Sequence, residues 1–235
     1  DTWDLDIERQ DLVFHFGEYS RVVPSFKDIA YVLRTNLQGT TRIIELCKAW
    51  KCKLIYSASS SKFGGNEDLS PYSWVKAKMV ELIKNYNKWF NLQYEICYFY
   101  NVYGKNHIAT GDYATVIAKF EKQYKEGKSL TVVGDGKQRR DFTHVDDIVD
   151  GLYKIGIKGI EHEDAWELGT GVNYSIIELA KMFQDKFDCE ISYLEDQPGN
   201  YRATLCESED AMEILGWKPQ DKLLYYINNL DKDED

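Results

Sequence analysis

A tyrosine and a lysine four positions apart, Tyr72 and Lys76, have the types and the spacing for acid/base chemistry. On a helix, positions i and i+4 lie on one face, so the ammonium can lie close to the phenol. A nearby positive charge lowers the pKa of a phenol and would let it act as a general base toward a hydroxyl group. The pair alone is weak support, because Tyr-x-x-x-Lys is more often an ordinary helix surface than a catalytic pair.

A serine-rich segment, residues 57–64 (SASSSKFG), precedes this pair. It continues an apolar run at residues 53–58 that is typical of a buried strand, and open α/β sheets bind ligands at the carboxyl ends of their strands. A serine hydroxyl there could hydrogen-bond the same substrate oxygen as the tyrosine. Taken alone, the segment is as often a plain polar loop. A strand-end serine cluster followed by a Tyr-x-x-x-Lys helix is a more specific arrangement.

The elements that would position these residues alternate along the first hundred positions. Three apolar runs predict strands and two periodic segments predict helices, in the order 12–16, about 25–50, 53–58, 71–90 and 94–102. Ser70 as N-cap and Pro71 at the first helical position mark the start of the second helix. Strands that alternate with helices predict an α/β fold with a doubly wound parallel sheet.

The second half of the chain is less regular. We predict helices there at about 113–126, from about Thr143 and at 175–187. We predict strands at 130–133 and 190–194.

Composition excludes several classes of function. The net charge is −10, and no long Lys/Arg run is present, which argues against nucleic-acid or membrane-surface partners. No apolar stretch approaches the roughly 18 residues of a membrane helix, so we expect a cytoplasmic protein. The 5 cysteines are scattered and indicate reduced thiols, and the 4 histidines lack metal-ligand spacing, so we expect no metal site.

Further motifs accompany the catalytic candidates in a fixed order. They are residues 11–18 (DLVFHFGE), 57–64, 71–76 (PYSWVK), 99–104 (FYNVYG), 134–142 (GDGKQRRDF), 168–171 (LGTG) and 215–219 (LGWKP). In this order the chain resembles the NAD-dependent epimerase/dehydratase branch of the extended short-chain dehydrogenase/reductase family, which includes UDP-glucose 4-epimerase. The resemblance runs nearly end to end.

The resemblance implies three catalytic residues, Tyr72, Lys76 and Ser59. Tyr72 would remove the C4 hydroxyl proton of a nucleotide sugar, Ser59 would hydrogen-bond the same oxygen, and Lys76 would bind the nicotinamide ribose. The residues implied for binding NAD are Phe16, Gly17, Asn36, Ser57, Tyr72, Lys76, Phe99 and Val102. Those implied for binding the substrate are Ser59, Ser60, Asn101, Arg140 and Arg202.

The two arginines are assigned to the nucleotide diphosphate. The guanidinium of Arg140 can hold two phosphate oxygens at once, although a surface arginine beside Arg139 is an equal interpretation of the residue by itself. The family often has an arginine where this chain has Gln197, and Arg202 is the candidate to replace that contact.

The chain also departs from the family pattern. The Gly-rich loop that holds the dinucleotide pyrophosphate does not occur, and the sequence starts at what resembles the fourth sheet strand. We therefore expect an incomplete Rossmann-type sheet, without the N-terminal strands and that loop, and a smaller α/β substrate-binding lobe. Residues 1–102 would form the partial NAD-binding domain and residues 103–235 mainly the lobe, with about 141–170 returning in part to the sheet.

The resemblance implies a UDP-sugar or related nucleotide sugar as substrate, NAD as cofactor, and a homodimer formed by the helices near residues 25–50 and 72–90. The expected reaction is inversion at C4 through a 4-keto intermediate. The alternatives are a sugar-nucleotide 4,6-dehydratase or decarboxylase of the same family, or a nucleotide-binding fragment without turnover. Dehydratases place an acid and a base, typically Asp-Glu, directly after the catalytic Thr, where this chain has Ser60 and Ser61.

Overall fold

The structure, a computed structural model, describes residues 7–59, 67–111, 113–158, 162, 165–196 and 202–230. The strands in these residues are β1 (Leu12–His15), β2 (Lys53–Ser59), β3 (Tyr94–Phe99), β4 (Val102–Tyr103), β5 (Leu130–Val133), β6 (Arg139–Asp141), β7 (Thr143–His144), β8 (Trp166–Leu168), β9 (Asn173–Ser175) and β10 (Ile191–Leu194). The α-helices are α1 (Ile29–Val32), α2 (Gly39–Trp50), α3 (Pro71–Phe90), α4 (Val116–Lys125), α5 (Val145–Lys158), α6 (Ile176–Phe187), α7 (Asp210–Leu215) and α8 (Leu223–Asn228).

The chain divides into two compact units. The first unit comprises Asp1–Phe99, Asp150–Leu168 and Ser208–Trp217, and the second comprises Tyr100–Val149, Gly169–Glu207 and Lys218–Asp235. Within the described residues, no helix is both long enough and apolar enough to cross a membrane.

A parallel sheet with the strand order β1-β2-β3-β8 forms the first unit, which confirms the predicted α/β fold class. The middle strand β2 carries Leu54, Ile55 and Tyr56, each with 0% of its surface exposed. A strand with helices on both faces of its sheet needs such a continuous apolar run, because neither face meets water.

Helix α3 begins where the sequence predicts. The Ser73 amide donates to Ser70 Oγ at 3.0 Å, and Pro71 occupies the first turn, where its missing N–H costs nothing. The helix ends at Asn91, which adopts a left-handed conformation with φ 57°. Its buried face carries Val75, Met79 and Ile83, together with the two candidate catalytic residues.

The single helix predicted at about 25–50 is wrong, because this segment forms several shorter helices. A 3₁₀ turn covers Val23–Phe26. Asp28 is then the N-cap of α1, because its side chain accepts from the Tyr31 amide at 2.8 Å. A π-helical stretch, Leu33–Gln38, then separates α1 from α2. π-helical turns are rare and are frequently found at functional sites.

Two further boundaries differ from the prediction. The strand predicted at 94–102 ends at Phe99, and Val102 pairs with Thr143 between β4 and β7 in the second unit. Consequently Val102 does not lie on the first unit's parallel sheet. Thr143 belongs to a strand, so α5 begins two residues later than predicted, at Val145.

The second unit packs helices α4, α6 and α8 around three small sheets. Its described residues form a parallel β5-β10 pair, a parallel β4-β7 pair and an antiparallel β6-β9 pair. Side chains that are almost fully buried fill the core, including Phe120, Leu130, Val132, Leu179, Phe183, Leu223 and Ile227. A capping box between Ser175 and Glu178 fixes the start of α6.

The fully buried carboxylate of Asp141 organises the loops of this unit. Its Oδ1 accepts from the Thr170 amide at 3.0 Å and from the Thr170 hydroxyl at 2.8 Å. Its Oδ2 accepts from the amides of Gly171 at 3.0 Å and Cys206 at 3.2 Å. One side chain therefore ties β6 to the loop before β9 and to the chain near Cys206.

We predict that Asp141→Asn destabilises the protein by about 2–4 kcal/mol, because the new NH₂ group cannot accept from the amides of Gly171 and Cys206, and each buried donor left unpaired costs roughly 1–3 kcal/mol. Urea unfolding followed by circular dichroism measures the change. The control is Asp135→Asn, at a side chain that is 66% exposed, and we expect it to stay within about 0.5 kcal/mol of the parent. Equal stability of the two variants would contradict the assigned role of Asp141.

Candidate functional site

Lys76 is the most unusual residue on the buried face of α3, since it is only 5% exposed. Its Nζ donates to the Glu18 carboxylate and to the backbone carbonyl of Ser57. It also lies 4.6 Å from the centre of the Tyr56 ring, within the range of a cation–π contact. The ammonium therefore has an opposite charge, a carbonyl and an aromatic face around it.

Glu18 connects Lys76 to strand β1 and helix α2. The Glu18 side chain is 2% exposed, and its Oε1 accepts from the Thr40 hydroxyl at 2.7 Å and the Tyr56 hydroxyl at 3.1 Å. The Thr40 oxygen also lies 2.8 Å from His15 Nε2. We call these five residues, His15, Glu18, Thr40, Tyr56 and Lys76, the lysine cluster.

The hydrogen bonds assign the protons in the lysine cluster. The Thr40 hydroxyl has one hydrogen, which it donates to the Glu18 carboxylate, so it must accept from His15 Nε2–H. Burial, more than any other effect, lowers the pKa of His15 and raises the pKa of Tyr56 well above its ordinary value. Both rings are therefore neutral near pH 7, and the ion pair of the cluster is the one between Lys76 and Glu18.

Tyr72 lies one helical turn before Lys76 on the same buried face of α3 and is 9% exposed. Its amide donates to Ser25 Oγ at 3.4 Å, and Ser25 itself is fully buried and donates to the Val22 carbonyl at 2.5 Å. The start of α3 is thus held against the 3₁₀ turn that precedes α1. The structure places Tyr72 and Lys76 in the geometry that their spacing predicts.

The carboxyl ends of three parallel strands carry further predicted residues. Ser59 ends β2 and is paired in register with Phe99 at the end of β3. Phe16 follows β1, and its ring is 5.7 Å from that of Phe99, in an edge-on contact. The Ser57 hydroxyl donates to the His15 carbonyl at 3.3 Å. The structure therefore gathers these residues at one edge of the sheet, whereas Ser60 lies outside the described residues.

Asn36 is fully buried in the π-helical stretch, and its side chain bonds the backbone of Tyr19. Asn36 Oδ1 accepts from the Tyr19 amide at 2.7 Å, and Nδ2 donates to the Tyr19 carbonyl at 2.9 Å. The side chain therefore fixes the loop that follows β1 and bears Glu18. Direct binding of the cofactor by Asn36 stays a prediction.

The second unit holds the predicted substrate residues around β6. Arg140 lies on β6, and its Nη1 donates to the Arg139 carbonyl at 2.8 Å. The Arg139 amide donates to the Arg202 carbonyl at 2.9 Å, so the exposed Arg202 lies on the chain segment that runs beside β6. Asn101 Nδ2 donates to the Asp141 carbonyl at 3.2 Å. This unit therefore brings Asn101, Arg140 and Arg202 to neighbouring segments.

The sequence analysis missed the partners of these residues. Glu18, Thr40 and Tyr56 received no role, although an acidic residue directly after Gly17, at the end of an apolar strand, was a usable signal. Asp141 was also missed, although it directly follows the two arginines in the GDGKQRRDF motif.

Proteins that are similar to this chain include enzymes named for their action on sugar nucleotides. UDP-glucuronic acid decarboxylase 4 of Arabidopsis thaliana is 29% identical over 209 residues, which cover 80% of this chain and 46% of that protein. The chain thus spans about half the length of that plant relative.

Two solved structures share the fold. The UDP-glucose 4-epimerase of Thermotoga maritima, solved with UDP-glucose, is 25% identical and has a TM-score of 0.87, with 94% of this chain and 75% of that chain covered. The UDP-glucuronic acid 4-epimerase of Bacillus cereus, solved with UDP-glucuronic acid and NAD, is 28% identical with a TM-score of 0.83, covering 92% and 73%.

The family assignment rests on the match to a family model. Residues 5–169 match the NAD dependent epimerase/dehydratase family, and this range includes β1, the lysine cluster, α3 and Arg140. The resemblance carried by the sequence motifs is confirmed: the chain belongs to the NAD-dependent epimerase/dehydratase family.

Proposed function

We propose that this chain is the catalytic part of an NAD-dependent nucleotide-sugar epimerase that inverts C4 of a UDP-hexose. The observation that carries the proposal is the placement of Tyr72 and a buried Lys76 one turn apart on the inner face of α3. Lys76 also bonds the backbone of the serine-bearing end of β2. A surface Tyr-x-x-x-Lys pair, which was the competing interpretation, would not be buried.

The first unit suits the nicotinamide-ribose part of NAD. The Lys76 ammonium lies near the carboxyl end of β2 and is a donor that ribose hydroxyls can accept from. Beside it the Phe16 ring is 45% exposed, and a Cβ added at Gly17 would meet no heavy atom within 4 Å. Among the described residues there is thus space at Gly17, and we assign NAD contacts to Phe16, Gly17, Ser57, Tyr72, Lys76 and Phe99.

Two residues from the sequence analysis enter this assignment differently. Asn36 fixes the loop at Tyr19, and its direct contact with NAD stays a prediction. Val102 lies on β4 of the second unit, and its contact with NAD also stays a prediction.

The proposed chemistry divides between cofactor and protein. Bound NAD would accept the hydride from C4 and return it to the opposite face of the 4-keto sugar. Tyr72 takes the proton of the C4 hydroxyl as that hydride leaves and gives a proton back when the hydroxyl forms again. Ser59 hydrogen-bonds the same oxygen, and the Lys76 ammonium stabilises the phenolate of Tyr72. No proton or hydride is lost overall, so the net change is inversion.

Arg140 and Arg202 are proposed to bind the diphosphate of the substrate. Arg140 is half-buried and donates to the carbonyl of Arg139, whereas Arg202 is exposed. A guanidinium pairs well with two phosphate oxygens, and the backbone bond from Arg139 to Arg202 keeps the two segments side by side. Asn101, anchored on the Asp141 carbonyl, is proposed to contact the sugar.

The main alternative is decarboxylation of a glucuronate, which the likeness to the Arabidopsis decarboxylase favours. Epimerase, decarboxylase and 4,6-dehydratase reactions share the first step, oxidation at C4, and so share the need for Tyr72 and Lys76. The three reactions differ after that step, in the protein groups that act on C5 and C6 of the sugar. Ser60 and Ser61 stand at the positions of the acid and base of a dehydratase, and serine hydroxyls are too weak for either task unaided. We therefore favour epimerisation.

We predict that Tyr72→Phe lowers kcat at least about 100-fold while substrate affinity stays nearly unchanged, because only the transferable proton is removed. Turnover and substrate binding are measured on the complete polypeptide that includes this chain. The control is Tyr86→Phe on the same helix, whose hydroxyl donates to Glu45 at 2.6 Å, remote from the lysine cluster. Tyr86→Phe should retain the parent rate. A Tyr72→Phe variant with more than about a tenth of that rate would rule out the base role.

The product distinguishes the three reactions. We predict that the complete polypeptide converts a UDP-hexose to its C4 epimer with the C6 oxygen retained, because Ser60 and Ser61 stand where a dehydratase has the acid and base that C6 elimination requires. UDP-glucose, UDP-N-acetylglucosamine, UDP-glucuronic acid and dTDP-glucose are incubated separately, and the products are identified by NMR. A stable 4-keto-6-deoxy sugar would establish a dehydratase instead, and a pentose formed from UDP-glucuronic acid would establish a decarboxylase.

A homodimer through the first unit is also proposed. Large apolar side chains on α1 and α3 are exposed, namely Ile29, Tyr31, Trp74, Trp89 and Phe90.

We predict that Trp89→Ser weakens self-association at least about tenfold, since Trp89 is 60% exposed and burial of an aromatic ring is worth more than 1.4 kcal/mol. Sedimentation measures the effect. Tyr225→Ser, at a 73% exposed residue of α8, is the control, and a monomeric parent at micromolar concentration would contradict the proposal.

A further inference from the structure

We propose that Glu18 is the positioning residue of Lys76: its carboxylate fixes the lysine ammonium at the end of β2 and keeps it protonated. The link to catalysis rests on the function proposed above, whereas the protonation of Lys76 can be tested without turnover. Nothing in the motif that identified Tyr72 and Lys76 includes this carboxylate.

Burial makes a partner for Lys76 necessary. An ammonium that is 5% exposed loses most of its hydration, and an unpaired buried charge gives up its proton rather than bear that cost. Burial lowers the pKa of Lys76, and the adjacent Glu18 carboxylate opposes this change. The other partner, the Ser57 carbonyl, accepts a hydrogen bond but carries no charge to balance the ammonium.

The orientation of Glu18 is set by neutral donors. Thr40 and Tyr56 both donate to Oε1, and this leaves Oε2 for Lys76. Two bonds from separate elements, α2 and β2, prevent the carboxylate from rotating away. Since the Glu18 side chain is 2% exposed, water does not compete with these donors.

The titratable groups around Lys76 come from every element packed against it. His15 on β1 is neutral, because burial lowers its pKa, and Tyr56 on β2 is protonated. Tyr72 lies on α3 itself, one turn away. Among the described residues, Glu18 is therefore the negative charge that can hold the Lys76 proton at alkaline pH.

The sign of the pH effect follows from this arrangement. Glu18 raises the pKa of Lys76, so its removal lowers that pKa, and the ammonium is lost at a lower pH than in the parent. Because Lys76 serves the reaction only while charged, the alkaline limb of the pH profile of kcat should move to lower pH by the same amount. A residue that merely supported the fold would lower stability without moving this limb.

The experiment compares Glu18→Gln with Glu95→Gln. Glu95 is a matched control, because it is a fully buried carboxylate of the same unit, paired with Lys53 at 3.0 Å. Lysine labelled with ¹³C at Cε is titrated by NMR in the chain as it stands, and the Lys76 signal is identified by its absence from Lys76→Arg. We expect the Lys76 midpoint to fall by about 1–3 pH units in Glu18→Gln, as for the loss of an opposite charge at close range, and to stay unchanged in Glu95→Gln.

A second variant, Glu18→Asp, retains the charge but moves it by one methylene, so its midpoint should fall by less than in Glu18→Gln. This variant decides the question if Glu18→Gln does not fold. An unchanged Lys76 midpoint in either folded Glu18 variant would overturn the inference. In the complete polypeptide, a matching shift of the alkaline limb of kcat supports the catalytic link. A midpoint that shifts in a protein with no turnover of any sugar nucleotide would uphold the role of Glu18 and refute the proposed function instead.

Discussion

The ion pair between Lys76 and Glu18 is the constraint on which the first unit depends. It joins α3 to the loop after β1, and it does so inside the protein, where the two side chains are 6% and 2% exposed. A buried ion pair adds little net stability to the fold, because desolvation offsets the attraction. Removal of one partner, however, leaves the other charge buried and uncompensated. The fold must therefore bring β1, α2, β2 and α3 together with the carboxylate and the ammonium in register. Under the proposed function Lys76 must carry a charge, which would account for this ion pair on a buried helix face.

Local signals in the sequence predicted several elements correctly but not the partners of the candidate site residues. Ser70 and Pro71 predicted the start of α3, since capping depends on neighbouring residues, and the apolar runs predicted the parallel strands β1, β2 and β3. The contact between Glu18 and Lys76 spans 58 positions, and no periodicity encodes it. The π-helical stretch at Leu33–Gln38 was missed for a related reason, since the apolar spacing of its sequence also fits an α-helix, and the bonds from Asn36 to Tyr19 span 17 positions.

In the second unit too, the sequence analysis assigned a role to one residue and missed its neighbour. Arg140 was proposed because the GDGKQRRDF motif resembles that of the family and a guanidinium suits phosphate, whereas Asp141 was not considered, although the two are adjacent on β6. Successive residues of a strand point to opposite faces, so Arg140 remains half-buried while Asp141 is fully buried among backbone amides. A carboxylate that accepts backbone hydrogen bonds is as much a determinant of the site as the arginine, because it fixes the strand that presents the arginine.

The lysine cluster also explains why Tyr-x-x-x-Lys is weak support in a sequence and strong support in a structure. Four-residue spacing puts the two side chains on one face of any helix, but on most helices that face is solvated and the ammonium is free to move. Here the lysine is held by a carboxylate that is itself oriented by Thr40 and Tyr56, and His15 donates to Thr40 in turn. Each link uses a group with a defined donor or acceptor role, so the protonation states of the cluster are determined together. The proposed base, Tyr72, thus lies one turn from the charge of Lys76, whose position is fixed by residues that precede Lys76 in the chain by 20 to 61 positions. The short motif identifies the candidate reacting groups, and the carboxylate that is proposed to keep the charge beside them lies 58 positions away from Lys76.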